Sequence, residues 1–305
     1  MTSPTPPTPA LLSPRFLVTP GFEDYRLVDS GEGRKLERFG RFLVDRPEPQ
    51  AMGRRQKPAL WERADAVFLG MNAEDDGSDG RWKFRGKPVE SFPVSFRGLA
   101  FHGRFTPFRH LGFFPEQAPH WDFMSERIAG AGRPVKVLNL FGYTGIASLL
   151  AARAGAAVTH VDASKKSVGF ARENQARAGL EAAPIRWIVD DAVKFTAREG
   201  RRASLYDGIL LDPPKYGRGP NGEVWDLFRD LPRLVELCRA ILTERPLFVI
   251  VTAYAIRASY LAVHELCRER FADLGGAIAS GELAVREEGS DRLLSTSLYC
   301  RWSAS

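Results

Sequence analysis

Hydrophobic positions change their pattern along the chain. From Tyr25 to about Arg109 the apolar segments are short, and Ser30-Gly-Glu-Gly33, Asp79-Gly80 and Arg85-Gly86 break them with turn residues. Phe92, Val94 and Phe96 alternate with Pro93, Ser95 and Arg97, the period of a half-buried strand. This stretch predicts a small β-rich module with one short helix around Ala59 to Phe68. Beyond it, apolar runs of strand length alternate with helical stretches. Val135 to Phe141 reads as a buried strand. Gly142-Tyr-Thr-Gly145 is a glycine-bracketed turn, Ile146 to Ala154 an Ala/Leu-rich helix, and Ala156 to Val161 a second strand ending on Asp162.

The alternation then continues. Ser164 to Ala178 predicts a helix with Ser164 as N-cap and Gly179 just past its end. Strands follow at Ile185 to Val189, before Asp190-Asp191, and at Tyr206 to Leu211, before Asp212-Pro-Pro, with the helix Ala192 to Glu199 between them. The helix Leu227 to Leu242, the strand Leu247 to Ala253 and the helix Ser259 to Phe271 come next. Gly276 to Val285 and Leu293 to Trp302 close the chain as two strands. Five strand–helix steps and a terminal hairpin predict an α/β fold. Its doubly wound, seven-stranded sheet is mostly parallel with an antiparallel edge, and its crossovers are right-handed.

Three regions result. Residues 1–20 are rich in Pro, Ser and Thr without apolar periodicity and read as a disordered tail. Residues 21–110 form the β-rich module, and 111–305 the larger α/β domain. With 44% hydrophobic and 26% charged residues, the composition is that of an ordinary globular protein. No apolar run approaches the roughly 20 residues of a membrane span. No basic stretch followed by an apolar core marks a signal peptide. Cys238, Cys267 and Cys300 are widely spaced, so no metal site is expected, and a cytoplasmic setting is the natural reading. The acidic turn Glu74 to Asp79 lacks the ligand spacing of a calcium loop and reads as solvated. Nothing in the sequence fixes an oligomeric state. The net charge is +6, and between Arg34 and His110 there are 16 Lys+Arg against 10 Asp+Glu, so the rest of the chain is balanced. That placement suits a region facing a polyanion; an Arg-rich solvated surface is the alternative.

In an open α/β sheet, ligands bind beyond the carboxyl ends of the strands. Those ends carry Asn139 to Gly145, Asp162, Asp190-Asp191, Asp212 to Tyr216 and Thr252 to Tyr254. A glycine turn followed by a strand tipped with an acid suits a nucleoside, with backbone N–H groups close by and a carboxylate for the ribose hydroxyls. Gly142 and Gly145 give G-x-x-G and not the dinucleotide G-x-G-x-x-G, and no ATPase-type phosphate loop is present. The aromatic segment Phe105 to Met124, with Arg109, His110, Glu116, Gln117 and His120, is either a hydrophobic brace between the two parts or a cover over the cofactor.

LNLFGYTGIAS, VDASKKSVGFARENQ, VDDAVKF and LDPPKYG resemble motifs I to IV of class I S-adenosylmethionine-dependent methyltransferases. The nearest resemblance is to bacterial large-subunit ribosomal RNA methyltransferases that make 5-methylcytosine or 7-methylguanine. It covers Phe105 to Trp302 and implies S-adenosylmethionine as cofactor. It also implies that Asp162 holds the ribose and that Asp191, or its neighbour Asp190, receives the adenine amino group with the Ala192 backbone. Asn139, Phe141, Tyr143 and Gly145 would line the methionine and sugar portion, although Phe141 is equally a core residue. Gln117 and Glu116 are candidates for the methionine end. Asp212, Pro213 and Pro214 would form the catalytic turn, with Tyr216 stacking on a flipped-out base and Lys215 on phosphate or simply at the surface.

One departure matters. Cytosine-C5 methylation needs a thiolate to attack the ring. Here the end of the fifth strand reads Val251 to Arg257 without cysteine, and the three cysteines fall in predicted helices or the last strand. The expectation is direct methyl transfer, on ribosomal RNA, to a nitrogen or oxygen. The alternative is a methyltransferase of a protein or small molecule, with the N-terminal module as lid.

Overall fold

Runs of Val, Ile and Leu at the centre of the larger domain bury both of their faces, the condition for parallel strands covered by helices. The computed structural model describes residues 13–70, 80–254, 256 and 258–305. Strand β1 (Arg15–Val18) precedes a module of β2 (Tyr25–Gly31), β3 (Arg34–Phe39), β4 (Phe42–Pro47), the one-turn α1 (Pro58–Trp61), β5 (Ala66–Leu69), β6 (Arg81–Phe84), β7 (Ser91–Phe96) and β8 (Leu99–Arg104). Then come α2 (Ala118–Ala129), β9 (Val135–Leu140), α3 (Ile146–Arg153), β10 (Ala156–Asp162), α4 (Lys165–Arg177), β11 (Ile185–Val189), α5 (Ala192–Arg201) and β12 (Gly208–Leu211). The chain ends with β13 (Tyr216–Arg218), β14 (Val224–Asp226), α6 (Leu227–Ala240), β15 (Phe248–Tyr254), α7 (Tyr260–Phe271), β16 (Ala277–Arg286) and β17 (Leu293–Ser303).

The large sheet has the order β1-β16-β17-β15-β12-β9-β10-β11. The chain leaves β9 towards β10 and β11 on one side, then crosses to β12 and β15 on the other. The order therefore reverses beside β9, and a crevice opens at the carboxyl ends of β9, β10 and β12. Side chains alternate across the sheet. Val135 and Val137 enter one core with Leu149 and Ile250, while Leu138 and Leu140 enter the other with Ile209, Leu234 and Val251.

The first of these cores runs without a break into the N-terminal module, through Phe39, Phe92, Phe101 and Phe113. Phe113 meets Phe39 at 5.5 Å and Phe101 at 5.1 Å between ring centres. Truncating such a buried aromatic costs about 3–5 kcal/mol. The aromatic segment before α2 is thus a brace, and it also reaches the crevice. Among the described residues, no helix is long and apolar enough to cross a membrane.

Three elements differ from the sequence expectations. The tail expected to run to residue 20 contains a strand, since β1 pairs in parallel with Gly281 to Ala284 and supplies an edge to β16, while residues 1–12 lie outside the described residues. That makes eight strands where seven were expected. Its pairing is carried by backbone groups, and Phe16 is exposed, so hydrophobic patterning gives no sign of it. The helix expected around Ala59 to Phe68 stops after Trp61. The Asp65 carboxylate accepts from Leu43 N, and β5 joins β4 and β6. The hairpin β13–β14 has no counterpart in the sequence reading. The acidic turn Glu74 to Asp79 lies outside the described residues.

Candidate active site

The loop after β9 is shaped by three left-handed residues, Phe141 (φ 56°), Tyr143 (φ 49°) and Gly145 (φ 86°). Such a backbone costs on the order of 1 kcal/mol or more at each non-glycine position, so surrounding contacts must impose it. Gly142 N donates to Val161 O at 3.0 Å, and Gly145 N to Gly142 O at 3.0 Å. A Cβ at Gly142 would lie 2.4 Å from the His160 ring, and one at Gly145 2.8 Å from the Ala171 Cβ. The loop is thereby pressed against β10 and α4.

Tyr143 N donates to Asp162 Oδ2 at 2.9 Å and Ser164 N to Asp162 Oδ1 at 2.8 Å. Burial raises the pKa of this carboxyl and the two N–H donors oppose the rise. Each oxygen still has a free lone-pair direction for a hydroxyl donor. At the tip of β11, Asp190 is engaged by Arg198 and by Asp191 N, while Asp191 Oδ1 caps α5 by accepting from Lys194 N at 2.9 Å.

Across the crevice, Asp212 ends β12. Gln117 Nε2 donates to Asp212 Oδ2 at 3.1 Å, and Gln117 Oε1 accepts from Thr252 Oγ1 at 3.4 Å. Burial, assisted by the nearby Glu116 charge, pushes the Asp212 pKa up to about 7. The proline turn is clamped from behind. Trp225 Nε1 donates to Pro214 O at 2.7 Å and Leu227 N to Lys215 O at 3.0 Å, so these two carbonyls are taken.

These groups surround one cavity of about 410 Å³, a volume proper to a small-molecule site. Gln117, Phe141, Tyr143, Asp162, Asp190, Asp191, Ala192, Asp212, Pro213 and Pro214 all line it. A narrower lobe of about 60 Å³ continues to Asn139, Thr144 and Thr252. Gly145 stands behind the wall and acts by packing. Lys215 and Tyr216 do not line the cavity: Tyr216 is 62% exposed on β13, and Lys215 Nζ lies 5.1 Å from its ring centre. The geometry does not place Tyr216 where it would stack on a base held at Asp212. Cys238, Cys267 and Cys300 are buried away from the cavity, and burial raises the Cys238 thiol pKa.

Sequence reasoning passed over Trp225, whose ring lies 4.9 Å from that of Phe141, as a wall of the cavity. Asn221-Gly222 ahead of it is a hairpin signal that would have pointed there. His110 and Tyr254 also line the cavity, above a buried ionic cluster. Glu37 bonds Arg46 and Tyr25, Lys35 lies 3.2 Å from Glu48, and Arg46 Nη1 reaches Arg109 O at 3.2 Å. Arg109 Nη2 in turn donates to Tyr254 Oη at 3.0 Å. Burial among these cations lowers the His110 pKa to about 3, so its ring is neutral.

Residues 60–272 match the family of S-adenosylmethionine-dependent methyltransferases. A methyltransferase of this kind from Agrobacterium tumefaciens, known as a crystal structure, is 54% identical. The match covers 97% of this chain and 96% of that one, with a TM-score of 0.92. Another structure, described as a methyltransferase with S-adenosylhomocysteine bound, shares the fold at 20% identity (TM-score 0.68, 91% of this chain and 75% of that one). The ribosomal RNA large subunit methyltransferase K/L of Desulfotalea psychrophila is 29% identical over 194 residues, 63% of this chain. The chain spans about a quarter of the length of the curated relatives it matches first. The cavity, the paired strand-end carboxylates and the left-handed loop suit a nucleoside bearing a methionine arm. The chain belongs to the S-adenosylmethionine-dependent methyltransferases.

Proposed function

We propose that the chain methylates ribosomal RNA directly, at a nitrogen or oxygen acceptor, without a cysteine nucleophile. The observation that carries this reading is Asp212. It is a half-buried carboxyl whose pKa is pushed up to about 7, and it lines both lobes of the cavity, with no thiol lining the cavity around it. Asp162 takes the ribose hydroxyls, and Asp191 with Ala192 N takes the adenine edge, because Asp190 is held by Arg198. Phe141 and Tyr143 cover the sugar and the methionine arm, and Asn139 lies at the narrow end. Gln117 belongs to the acceptor side, since its amide orients Asp212. The cofactor supplies a methyl already activated on a sulfonium, so the protein's task is alignment and proton acceptance.

RNA as substrate is supported by the names of the relatives and by where the free positive charge sits. Lys35 and Arg46 are consumed in the buried cluster, but Arg81 and Lys83 stand exposed on β6. Between them Trp82 turns inward and donates to Thr106 O at 2.7 Å and to Phe108 O at 3.2 Å, and Phe108 lines the cavity. A basic strand is therefore fastened to the rim of the site. RNA affinity should fall with salt in proportion to the phosphates neutralised. The decisive measurement is mass spectrometry of ribosomal RNA from cells with and without the gene. One methyl lost, and restored in vitro by the protein, supports the reading; an unchanged modification profile defeats it.

A further inference from the structure

The hairpin β13–β14 has two unlike faces. Inward, Trp225 packs on Phe141 and binds the proline turn. Outward, the register pairs Arg218 with Val224 and Tyr216 with Asp226, which sets Tyr216, Arg218, Val224 and Asp226 on one face. Tyr216 is 62% and Val224 60% exposed, and Phe228, in the first turn of α6, is 54% exposed. Large apolar groups left in solvent along one short segment of chain mark a contact surface.

Charge identifies the occupant. The hairpin's acids are engaged: Glu223 pairs with Lys194 at 2.6 Å, and Asp226 caps α6 by accepting from Arg229 N at 3.1 Å. Among the described residues, neither Lys215 nor Arg218 has an acidic partner. What faces outward is aromatic and positive, the combination that holds single-stranded nucleic acid. The face is also continuous with the site, for Arg218 and Gly219 line the cavity itself. A strand delivering a base past Pro214 would have to cross it.

We propose that this outer face grips the RNA next to the nucleotide that enters the cavity, Tyr216 and Phe228 stacking on flanking bases and Arg218 and Lys215 meeting their phosphates. The proposal rests on the reading of RNA as substrate. The test uses the full chain and ribosomal RNA from cells lacking the gene as methyl acceptor. The double variant Tyr216→Ala/Phe228→Ala should raise KM for that RNA by about tenfold or more. Tyr216→Phe should stay near wild type, and calorimetric affinity for S-adenosylhomocysteine should be unchanged in both. Arg218→Ala should reduce the salt slope of RNA binding by about one. An unchanged KM in the double variant, or a rise matched by equal loss of S-adenosylhomocysteine affinity, overturns the proposal. If the wild type methylates a protein in place of RNA and the double variant impairs that reaction, the RNA assignment is overturned in favour of a protein partner. If the wild type leaves RNA unmethylated altogether, it is the functional reading that fails.

Discussion

Asp162 and Asp212 face the same cavity from opposite sides, and their surroundings make different devices of them. Both are half-buried, and desolvation raises the pKa of both. At Asp162 two backbone N–H groups, each within 2.9 Å, oppose that rise. Those donors belong to a loop and a helix N-cap region that cannot turn away. At Asp212 the donor is the side-chain amide of Gln117, and the Glu116 charge pushes in the same direction as burial. In the proposed reading the first carboxylate, held by backbone donors, positions a ligand, and the second, pushed up to about 7, accepts a proton. The two aspartates are separated by what the backbone offers each.

The comparison breaks most visibly in rates. Asp212→Ala should lower the methylation rate by about 10²–10⁴, the usual range for losing a positioned proton acceptor, with S-adenosylhomocysteine affinity held within a few-fold. Wild-type activity should rise through about pH 7 as Asp212 becomes the carboxylate. Asp212→Asn should flatten that limb of the profile. Asp162→Ala should do the reverse: titration calorimetry should show S-adenosylhomocysteine affinity falling by about 10- to 100-fold, the worth of hydrogen bonds to a charged group. Equal effects of both changes on cofactor affinity would dissolve the distinction.

The loop that makes Asp162 rigid can be tested by stability. Gly145→Ala combines a left-handed φ of 86° with a Cβ 2.8 Å from Ala171, and should cost on the order of 2–3 kcal/mol in chemical denaturation. Gly179→Ala has φ 65° but no atom within 4 Å of the new Cβ, and should cost only about 1 kcal/mol. Equal losses would mean that packing against α4 does not hold the loop.

How much of this was legible in the sequence follows the same division. The half proposed for the cofactor is local: strand, turn, helix and acid follow one another within Val135 to Asp162, so periodicity and glycine spacing suffice to predict those elements. The acceptor half is assembled across the chain. Gln117 reaches Asp212 over 95 residues, Arg109 reaches Tyr254 over 145, and neither approach leaves a periodic trace. Tyr216 shows the limit plainly. Its place after Asp212-Pro-Pro suggests a role inside the cavity, yet the turn runs into β13 and carries it to the outer face. The strand β1 was missed for the complementary reason, that backbone pairing at an edge asks little of side chains. Which of the module's cations stay free is equally illegible: Lys35 and Arg46 pair inside it with Glu48 and Glu37, acids that the net count of +6 already offsets.

A further effect separates the two aspartates by stability and not by activity. A carboxyl whose pKa is raised on folding from 3.8 to about 7 favours the folded state less as pH climbs, because the unfolded chain ionises first. The penalty is absent below about pH 4, grows between pH 4 and 7, and is constant above. Asp212→Asn removes it. Differential scanning calorimetry should therefore find the variant melting about 2–4 °C above wild type at pH 8 for each kcal/mol recovered, with the gap closing as pH falls toward 4. Asp162→Asn should gain less at pH 8, since an amide oxygen is a poorer acceptor than the carboxylate for the Tyr143 and Ser164 N–H groups and what is gained from burial is lost there. A gap for Asp212→Asn that is independent of pH would mean that the carboxyl is ionised throughout, and the two ends of the cavity would then be electrostatically alike.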